Sequence, residues 1–399
     1  MDYNISIVIV NYNGKKYIDA LFDSFLKQDL AELTYEIVFV DNNSTDDSIS
    51  YLEDNYAARF NNLKIVNSKE NLGFAGGNNL GVANSSGEYI VFLNNDTKVE
   101  PDWLLQLYEC IRSHNAGIVT SKLIFFYDFV KFNVQTADKF EISNRVSING
   151  HEYKLDPKFC KNMLVYDEHS VCFGHSEFYL PLLQGSVDYD ITINAIDVNQ
   201  AKATQATFSL GDAAFEIGNN ILLTETDVAS RKLKLLQNVG SGIDSNFNGY
   251  DMGFCEEDHG QYERVYEVET TCGAAMMMKK DVFEKVGGFD NNFFMYYEDT
   301  DLAFRVKRQG MKLLYCPTAV VRHIHTGSSK EWSPFFIFHV YRNRMLFILK
   351  NYSRKIFIKE YLKFIFSISI NIISKQNKEI KTAKLNSLKS FMKLLPKYL

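Results

Sequence analysis

The sequence predicts an α/β fold, with a mixed, mostly parallel sheet that is interrupted by a β-rich insertion and followed by a helical C-terminal extension. In the first hundred residues, short apolar, β-branched runs alternate with helix-like stretches, which is typical of a parallel sheet wrapped by helices. Residues 125–254 contain alternating apolar and polar runs instead. Residues 334–399 have helical periodicity with little Gly or Pro.

Length and composition set the number of domains. The 399 residues exceed one typical domain of about 100 to 200 residues. The apolar fraction of 46% and charged fraction of 23% exclude collagen-like, disulfide-dense and wholly disordered chains. We therefore expect residues 1–124 and 255–333 to form one α/β domain, 125–254 an inserted module, and 334–399 a basic, amphipathic helical extension.

The elements of the first domain follow in order. A βαβαβαβ pattern predicts four strands, at Ile5–Val10, Glu36–Val40, Leu63–Val66 and Tyr89–Leu93. The helices between them are predicted at Lys15–Lys27, Thr45–Asn55 and Gly76–Ala83. Polar clusters follow the first, second and fourth strands, at the edge where open α/β sheets bind ligands.

Cysteine spacing and the N-terminus indicate the compartment. The six cysteines include no C-x-x-C pair, which predicts reduced thiols in a cytoplasmic protein. The N-terminus lacks a basic region, and the apolar run Ile5–Val10 is too short for a secretory signal, so we expect no export.

Charge is distributed unevenly. Residues 342–399 hold fourteen Lys or Arg against Glu360 and Glu379, a balance of +12, so the preceding residues carry −18. This asymmetry argues against a nucleic-acid binder and predicts that the tail meets an anionic membrane surface. The window Ile356–Ile373 is interrupted by charges and is too short to span as a single helix. Its helical repeat predicts either an interfacial helix or one docked on the core, through Phe357, Tyr361, Phe364, Ile368 and Ile372.

Asp96 follows an apolar strand, which predicts that its carboxylate lies at the sheet edge. Mn2+ and Mg2+ prefer oxygen ligands, and one carboxylate with a substrate diphosphate can hold them. A polar turn is the alternative, because Asn94, Asn95 and Thr97 are common turn residues.

Asp41 ends the second predicted strand, where an acceptor could bind a uracil or thymine N–H. The same segment also resembles a helix N-cap, so both interpretations stand. The stretch 71–79 allows close backbone approach at a helix start, which suits an anion or a sugar. It lacks the G-x-G-x-x-G spacing, and the chain contains no P-loop motif, which disfavours dinucleotide binding and P-loop phosphoryl transfer.

Three carboxylates, Glu298, Asp299 and Asp301, lie within four positions before a predicted helix. Carboxylates this close repel one another, which raises their pKa values, and a general base needs a raised pKa. Helix capping is the alternative explanation for part of this acidic cluster. His323 and His325 alternate along a strand, so at most one is expected to face a site. An imidazole there could complete a metal shell, and Arg342 or Arg344 could bind phosphate or lie on a membrane-facing helix.

Six short motifs occur in order along the chain: Val8–Gly14, Val40–Asp46, Asn71–Asn78, Phe92–Thr97, Gly287–Asp290 and Glu298–Leu302. Together they resemble family 2 glycosyltransferases of the rhamnosyltransferase-like type, over roughly residues 4–124 and 255–350. The resemblance implies a GT-A fold, with the nucleotide-binding half first and the acceptor half second. It also implies a nucleotide-diphosphate sugar donor and inversion at the anomeric carbon. The usual Asp-x-Asp is represented here by Asn94-Asn95-Asp96.

The resemblance also implies roles for individual residues. Asp299 would be the general base, with Glu298 and Asp301 in the same catalytic group. Asp96 would bind Mn2+ or Mg2+ with His323 or His325, and the spacing to Gly327-Ser328 favours His323. The nucleotide-sugar donor would contact Val10, Asn11, Asn13, Asp41, Asn43, Asn71, Gly73, Asn78, Asn94, Asn95 and Arg342.

The expected function is transfer from dTDP-rhamnose or a UDP-sugar to a glycan or lipid-linked glycan in cell-surface polysaccharide synthesis. The expected location is the inner face of the plasma membrane, peripherally bound, with no nucleic-acid partner. The sequence is compatible with an oligomer. The insertion is either an acceptor-recognition or oligomerisation module or a tolerated surface insertion. The alternative function is a non-catalytic carbohydrate-binding or scaffold protein that uses the β-rich insertion.

Overall fold

The computed structural model of the protein describes residues 3–182, 188–197, 206–215, 220–325, 331–373 and 377–399. The chain divides into two compact units, the first made of residues 1–126, 237–254 and 260–399, the second of 127–236 and 255–259. Residues 237–254 therefore belong to the first unit, although the sequence placed them in the insertion. Long-range bonds explain this, because Gln237 bonds to His323 and the Tyr297 hydroxyl donates to the Phe247 carbonyl.

Strands and helices are numbered along the described part of the chain. The strands are β1 (Ile5–Asn11), β2 (Tyr35–Asp41), β3 (Leu63–Asn67), β4 (Tyr89–Asn94), β5 (Thr97–Val99), β6 (Ile118–Phe125), β7 (Phe129–Gln135), β8 (Phe140–Ser143), β9 (Arg145–Ile148), β10 (His151–Lys154), β11 (Cys160–Val165), β12 (His169–Pro181), β13 (Tyr189–Thr192), β14 (Thr207–Leu210), β15 (Ala213–Phe215), β16 (Asn220–Leu223), β17 (Leu236–Asn238), β18 (Ser241–Ile243), β19 (Gly249–Asp251), β20 (Tyr266–Glu267), β21 (Ala275–Lys279) and β22 (Leu313–His323). The α-helices are α1 (Ile18–Phe25), α2 (Ser48–Asn55), α3 (Gly73–Ala83), α4 (Trp103–His114), α5 (Glu225–Arg231), α6 (Lys280–Lys285), α7 (Glu298–Lys307), α8 (Pro334–Asn351), α9 (Arg354–Ile373) and α10 (Lys378–Leu394).

The sheet of the first unit begins with β4, β1, β2 and β3 as parallel neighbours in that order. The predicted α/β architecture and its four strands are thereby confirmed. In this register Val10 pairs with Val40 on one side and with Asn94 on the other. The carboxyl ends of β1, β2 and β4 consequently meet at one edge of the sheet.

All three predicted helices begin at different residues from those predicted. Helix α1 begins at Ile18 rather than Lys15, after a 3-10 turn at Lys15–Tyr17. Helix α2 begins at Ser48 rather than Thr45, because the Thr45 and Asp46 N–H groups donate to the Asn13 side chain instead. Helix α3 begins at Gly73, whose φ of +68° suits glycine. Gly77 then lets α3 pack on β1, since an added Cβ would lie 2.7 Å from Val10 Cγ1.

The other half of this sheet brings a second group of residues to the same edge. Strand β21 runs antiparallel between β4 and β6, with Ala275 opposite Leu93 near the carboxyl end of β4. Strand β22 runs parallel to β6 and pairs with β5, so that His323 lies opposite Thr97. The start of β21 and the end of β22 therefore lie next to the polar segment after β4.

The second unit is β-rich, as predicted. One of its sheets has the order β10-β9-β13-β16, and the other has β11-β12-β7-β14-β15 with β8 on β12. Side chains from both sheets form one buried apolar core that includes Phe132, Phe178 and Ile191. Packing of two sheets on a shared core gives this unit its own source of stability.

The C-terminal helices dock on the first unit. Their core cluster joins Phe347 of α8, Phe364 and Ile368 of α9, and Phe391 of α10 to Phe293. The α9 face that the sequence offered to a membrane is therefore largely the face that packs inward; the Ile372 side chain lies outside the described set. Among the described residues we find no helix long and apolar enough to cross a membrane.

Candidate active site

Asp41 presents an open acceptor at the end of β2. Asp41 is 8% exposed, and its Oδ2 atom accepts a hydrogen bond from the Ser44 N–H at 3.2 Å. The other oxygen, Oδ1, is buried and has no hydrogen-bond partner among the described residues. A buried acceptor without a donor is costly, so this atom is suited to receive an N–H group from a ligand.

Asparagines at the ends of β1, β2 and β4 shape this part of the site, most of them through side-chain hydrogen bonds. Asn11 Nδ2 donates to Ser48 Oγ at 2.9 Å, and Asn11 Oδ1 accepts from Asn95 Nδ2 at 2.9 Å. Asn13, at φ +52°, accepts from the Thr45 N–H at 2.7 Å. Asn43 is exposed, at φ +65°. The side chains of Asn11, Asn13 and Asn95 thus hold the loops together. Asn43 follows Asp41 by two residues and lies at the surface.

The segment before α3 is fixed by Asn42, which the sequence reading missed. Asn42 Nδ2 donates to Asn71 Oδ1 at 3.0 Å and to the Gly73 carbonyl at 3.1 Å, and Asn42 Oδ1 accepts from the Leu72 N–H. Asn78 is buried and donates to the Phe74 carbonyl at 2.9 Å. Asn71 and Asn78 therefore support the start of α3, and Val10 packs beneath Gly77.

Asp96 and His323 come together after β4 and at the end of β22. His323 Nε2 lies 3.1 Å from Asp96 Oδ1 and 3.2 Å from Asn94 Nδ2. Asp96 Oδ1 is buried and has no well-aligned hydrogen-bond partner among the described residues. On the far side of the ring, Nδ1 lies 2.6 Å from Gln237 Oε1, and Gln237 Nε2 donates to the His323 carbonyl at 3.3 Å.

This arrangement fits a divalent cation. If Nδ1–H donates to Gln237, Nε2 presents a lone pair beside the unpartnered Asp96 oxygen, and a positive ion would bind both atoms. Adjacent ligands of an octahedral Mg2+ lie about 3 Å apart, close to the observed separation. The described residues hold no cluster of three or more His, Cys, Asp or Glu suited to a metal, so a bound diphosphate would have to supply further oxygen ligands.

Asp299 lies at the start of α7, beside the segment that leads into β21. Its Oδ2 accepts from the Gly273 N–H at 2.8 Å, and Oδ1 accepts from the Thr300 N–H at 2.6 Å. Burial raises the pKa of the Asp299 carboxyl above its ordinary value, against the opposing effect of these bonds. A carboxylate fixed in this way and less acidic than usual is suited to take a proton.

Glu298 and Asp301 differ from Asp299. Burial, followed by the charge of Asp299, raises the pKa of Glu298 well above its ordinary value, and its Oε2 has no partner among the described residues. Asp301 is fully buried and bonds to Arg305 at 2.8 Å, Lys350 at 2.9 Å and Asn351 at 2.9 Å. Asp301 therefore joins α7 to α8, and a direct part in catalysis stays a prediction.

Arg342 also has a different environment from that expected. It is buried, and its guanidinium donates to the carbonyls of Asn292 at 3.0 Å and Phe293 at 2.8 Å. Burial lowers the pKa of Arg342 to about 10. The neighbouring Asn343 donates to the Phe293 and Tyr296 carbonyls at 2.8 Å. Arg342 thus supports the loop before α7, and its contact with the donor stays a prediction.

That loop is strained, which explains why it needs support. Phe294, Tyr296 and Tyr297 all have φ between +66° and +71°, a region that bulky residues rarely adopt. Such strain persists only where surrounding bonds hold it, and it is often found at functional sites. The bonds from α8 consequently fix the position from which Glu298 and Asp299 begin α7.

Asp251 is a further carboxylate of this region that the sequence reading missed. It accepts hydrogen bonds from Asn238 Nδ2 and, at 3.2 Å, from Ser241 Oγ. Loss of hydration raises the pKa of Asp251 to about 6, with a further contribution from Asp299, even though the residue keeps part of its surface exposed. Asp251 therefore lies within electrostatic reach of the proposed base.

His325 lies apart from Asp96. Its ring is near Phe125 and Phe254, and Nε2 is 3.7 Å from Glu331. His323 is the histidine beside Asp96. Alternation could not have separated the two histidines, because residues two apart on a strand share a face. The separation arises because β22 ends at His323 and His325 lies beyond the strand. The Gly327-Ser328 spacing used to choose between them lies outside the described residues.

Comparisons with known proteins agree with this fold. The model described as "Glycosyl transferase family 2" matches residues 6–176, and the model described as "N-terminal domain of galactosyltransferase" matches 248–327. Residues 6–176 are thus similar to the family 2 glycosyltransferases.

Relatives match over part of their length. A cholesterol galactosyltransferase of Borreliella burgdorferi is 30% identical over 33% of this chain and 36% of its own. A poly(ribitol-phosphate) beta-glucosyltransferase of Bacillus spizizenii is 32% identical over 30% of this chain and 19% of its own. The matched segments thus span about a fifth to a third of these curated relatives.

A solved structure supports the fold. The crystal structure of GalNAc-T7 with UDP, GalNAc and Mn2+ has a TM-score of 0.53 at 13% identity, covering 99% of this chain and 57% of that one. The GT-A expectation is thereby confirmed.

Proposed function

We propose that the protein transfers a sugar from a nucleotide-diphosphate donor to a hydroxyl of a glycan or lipid-linked glycan in cell-surface polysaccharide synthesis. The observation that carries this proposal is the set of polar groups along one edge of the sheet. It comprises the open Asp41 oxygen, the Asp96 and His323 pair, and Asp299 beside Gly273. The galactosyl and glucosyl transfers named for the relatives support transfer of a hexosyl group, and dTDP-rhamnose and UDP-sugars are both kept as candidate donors.

Each group has a distinct task in the proposed reaction. Asp41 Oδ1 accepts the imide N–H of a uracil or thymine base. Asp96 and His323 would hold Mn2+ or Mg2+, which when bound neutralises charge on the departing diphosphate. Asp299 takes the proton of the acceptor hydroxyl while that oxygen attacks the anomeric carbon and the bond to the diphosphate breaks. A single displacement of this kind inverts the configuration.

We further propose that the enzyme works at the inner face of the cytoplasmic membrane, bound peripherally. The basic C-terminal tail supports this location, because each basic residue near an anionic surface contributes about 1 kcal/mol. A lipid-linked acceptor would be presented at the same surface.

The donor site is tested by thermal denaturation with UDP, dTDP and their sugars, with and without Mn2+. A ligand that binds only the folded state raises the melting temperature. We expect a metal-dependent rise with a uridine or thymidine diphosphate, which Asp41→Ala diminishes. The absence of any rise would overturn the donor site and favour a non-catalytic, carbohydrate-binding role for the second unit.

The catalytic role is tested with Asp299→Asn. We expect transfer to fall by a factor of about 10² to 10⁴, as for loss of a general base, while the donor-induced rise in melting temperature is kept. Asp281→Asn, at an exposed helix start, is the matched control. Full transfer activity in Asp299→Asn would exclude this residue as the base.

A further inference from the structure

Helix α9 exposes a continuous apolar ridge. Its members recur every four residues and are 55%, 61%, 68% and 52% exposed, in the order Ile358, Leu362, Phe366 and Ile370. At 100° per residue, side chains four apart form one stripe along a helix. The opposite face, with Phe364 and Ile368, is buried against the first unit. Single exposed apolar residues are ordinary, but a contiguous stripe marks an interaction surface.

A basic ridge runs beside the apolar one. Lys355, Lys359 and Lys363 are exposed and are also four residues apart. Each lies about 60° around the helix from the apolar residue three positions later. Glu360, on the buried side, pairs with Lys363 at 2.7 Å. Helix α10 and the residues after it add further exposed lysines, at Lys378, Lys389, Lys393 and Lys397.

We propose that α9 lies in the interface of an anionic lipid bilayer, with the apolar ridge among the acyl chains and the lysines at the headgroups. An amphipathic helix with a basic flank binds this kind of surface by combining apolar burial with attraction to anionic lipid. This surface deepens the membrane association proposed above and is independent of the transfer reaction. The face of α9 that we assign to the membrane is thus opposite to the face that the sequence analysis offered to a membrane.

Charge favours lipid over a second copy of the chain. A symmetric contact through this helix would bring two basic ridges together, and like charges across an interface are unfavourable. An anionic membrane complements both the apolar ridge, through its acyl chains, and the basic ridge, through its headgroups. The length of α9 and its lysines also fit a helix that lies along the surface.

The test is sedimentation of the full chain with vesicles of phosphatidylcholine alone or mixed with phosphatidylglycerol. We expect binding to the mixed vesicles that weakens with added salt. In the double variant Leu362→Gln, Phe366→Gln, which keeps good helix formers, we expect partitioning to fall about a hundredfold. Lys355→Gln with Lys359→Gln should lower binding to anionic vesicles and reduce its salt dependence.

A matched control removes one exposed Leu and one exposed Phe from the second unit, as Leu222→Gln with Phe173→Gln. It should bind vesicles like the unchanged protein. An unchanged melting temperature without ligand and an unchanged circular dichroism spectrum verify folding of every variant. If the unchanged protein ignores anionic vesicles, membrane association itself fails. If it binds and the α9 variants bind equally, this face is wrong. Concentration-dependent dimers in light scattering, lost in the α9 variant, would assign the ridge to a second copy.

Discussion

Gln237 illustrates how a buried amide can set the chemistry of a neighbouring ring. It is 2% exposed and bonds to both the Nδ1 atom and the main-chain carbonyl of His323. We predict that Gln237→Leu lowers the affinity for Mn2+ measured by titration calorimetry with UDP by about 10- to 100-fold, since ring orientation is lost. Gln309→Leu, at an exposed position, is the control. Equal affinities in the two variants would show that Gln237 does not orient the ring.

Asp299 and Asp251 differ in how they should respond to pH. A base must be ionised, and burial raises the pKa of Asp299, so kcat/KM should fall as the pH drops through that raised value. Loss of hydration and then the Asp299 charge raise the pKa of Asp251, and removing a neighbouring negative charge lowers a carboxyl pKa. We therefore predict that Asp299→Asn lowers the pKa of Asp251, followed by carboxyl NMR titration, whereas Asp102→Asn, at an exposed position, leaves it in place. An unmoved Asp251 titration in Asp299→Asn would exclude the coupling.

At this scale, the sequence could locate groups that follow a strand but not those brought in from afar. Asp41 and Asp96 were expected at the sheet edge because each follows an apolar, β-branched run. Gln237 is 86 residues from His323 along the chain. Most of the second unit lies between Gln237 and β6, which is the preceding strand of the first unit. No local pattern around Gln237 distinguishes it from any other buried amide.

Lys350, near the end of α8, is a largely buried cation that links α8 to Asp301 of α7 and to Asp290. Lys350 Nζ lies 2.6 Å from Asp290 and 2.9 Å from Asp301, and all three side chains are at most 17% exposed. Burial acts to raise the pKa of Asp290, but the Lys350 ammonium outweighs it and lowers the pKa to about 2. The resulting stability is present above the ordinary Asp value near 3.8 and is lost as the pH falls towards about 2.

We predict that Lys350→Met lowers the free energy of unfolding by about 3 kcal/mol at neutral pH, because the buried Asp301 and the partly buried Asp290 lose the cation that they share. The difference from the unchanged protein should shrink between pH 4 and pH 2, as Asp290 becomes protonated. Urea denaturation across this range measures both effects. Lys393→Met, at an exposed position, should be neutral. A constant difference at every pH would place the effect in packing rather than charge.

At the scale of whole elements, periodicity identified α9 and one apolar face, with Phe357, Tyr361, Phe364 and Ile368, but left open whether that face meets a membrane or the core. A second apolar face, with Ile358, Leu362, Phe366 and Ile370, was not recognised from the sequence. Both faces repeat every three or four residues, so periodicity alone does not show which of them docks. The cluster at Phe293 and Phe347 complements the first face and decides the packing.

The whole molecule is two units on one chain, and the main segment of the second, residues 127–236, begins and ends at neighbouring positions, while residues 255–259 rejoin that unit. Phe129 and Leu233 exchange backbone hydrogen bonds at 2.8 and 2.9 Å, so the chain returns beside the point where it departed. Each unit has its own apolar core, drawn from the clusters around Leu93 and around Phe132. A unit closed in this way is suited to removal without redirecting the strands on either side.

Replacing residues 130–232 by a short Asn-Gly turn between Phe129 and Leu233 tests whether the first unit binds the donor by itself. We predict a folded protein whose melting temperature still rises with UDP and Mn2+, because Asp41, Asp96 and His323 all belong to the first unit. If the second unit recognises the acceptor, donor hydrolysis should persist while transfer to the glycan falls at least tenfold. Undiminished transfer would instead make it a tolerated insertion, since long insertions at loops cost little. Loss of the nucleotide-induced rise in a folded variant would mean that donor binding requires both units.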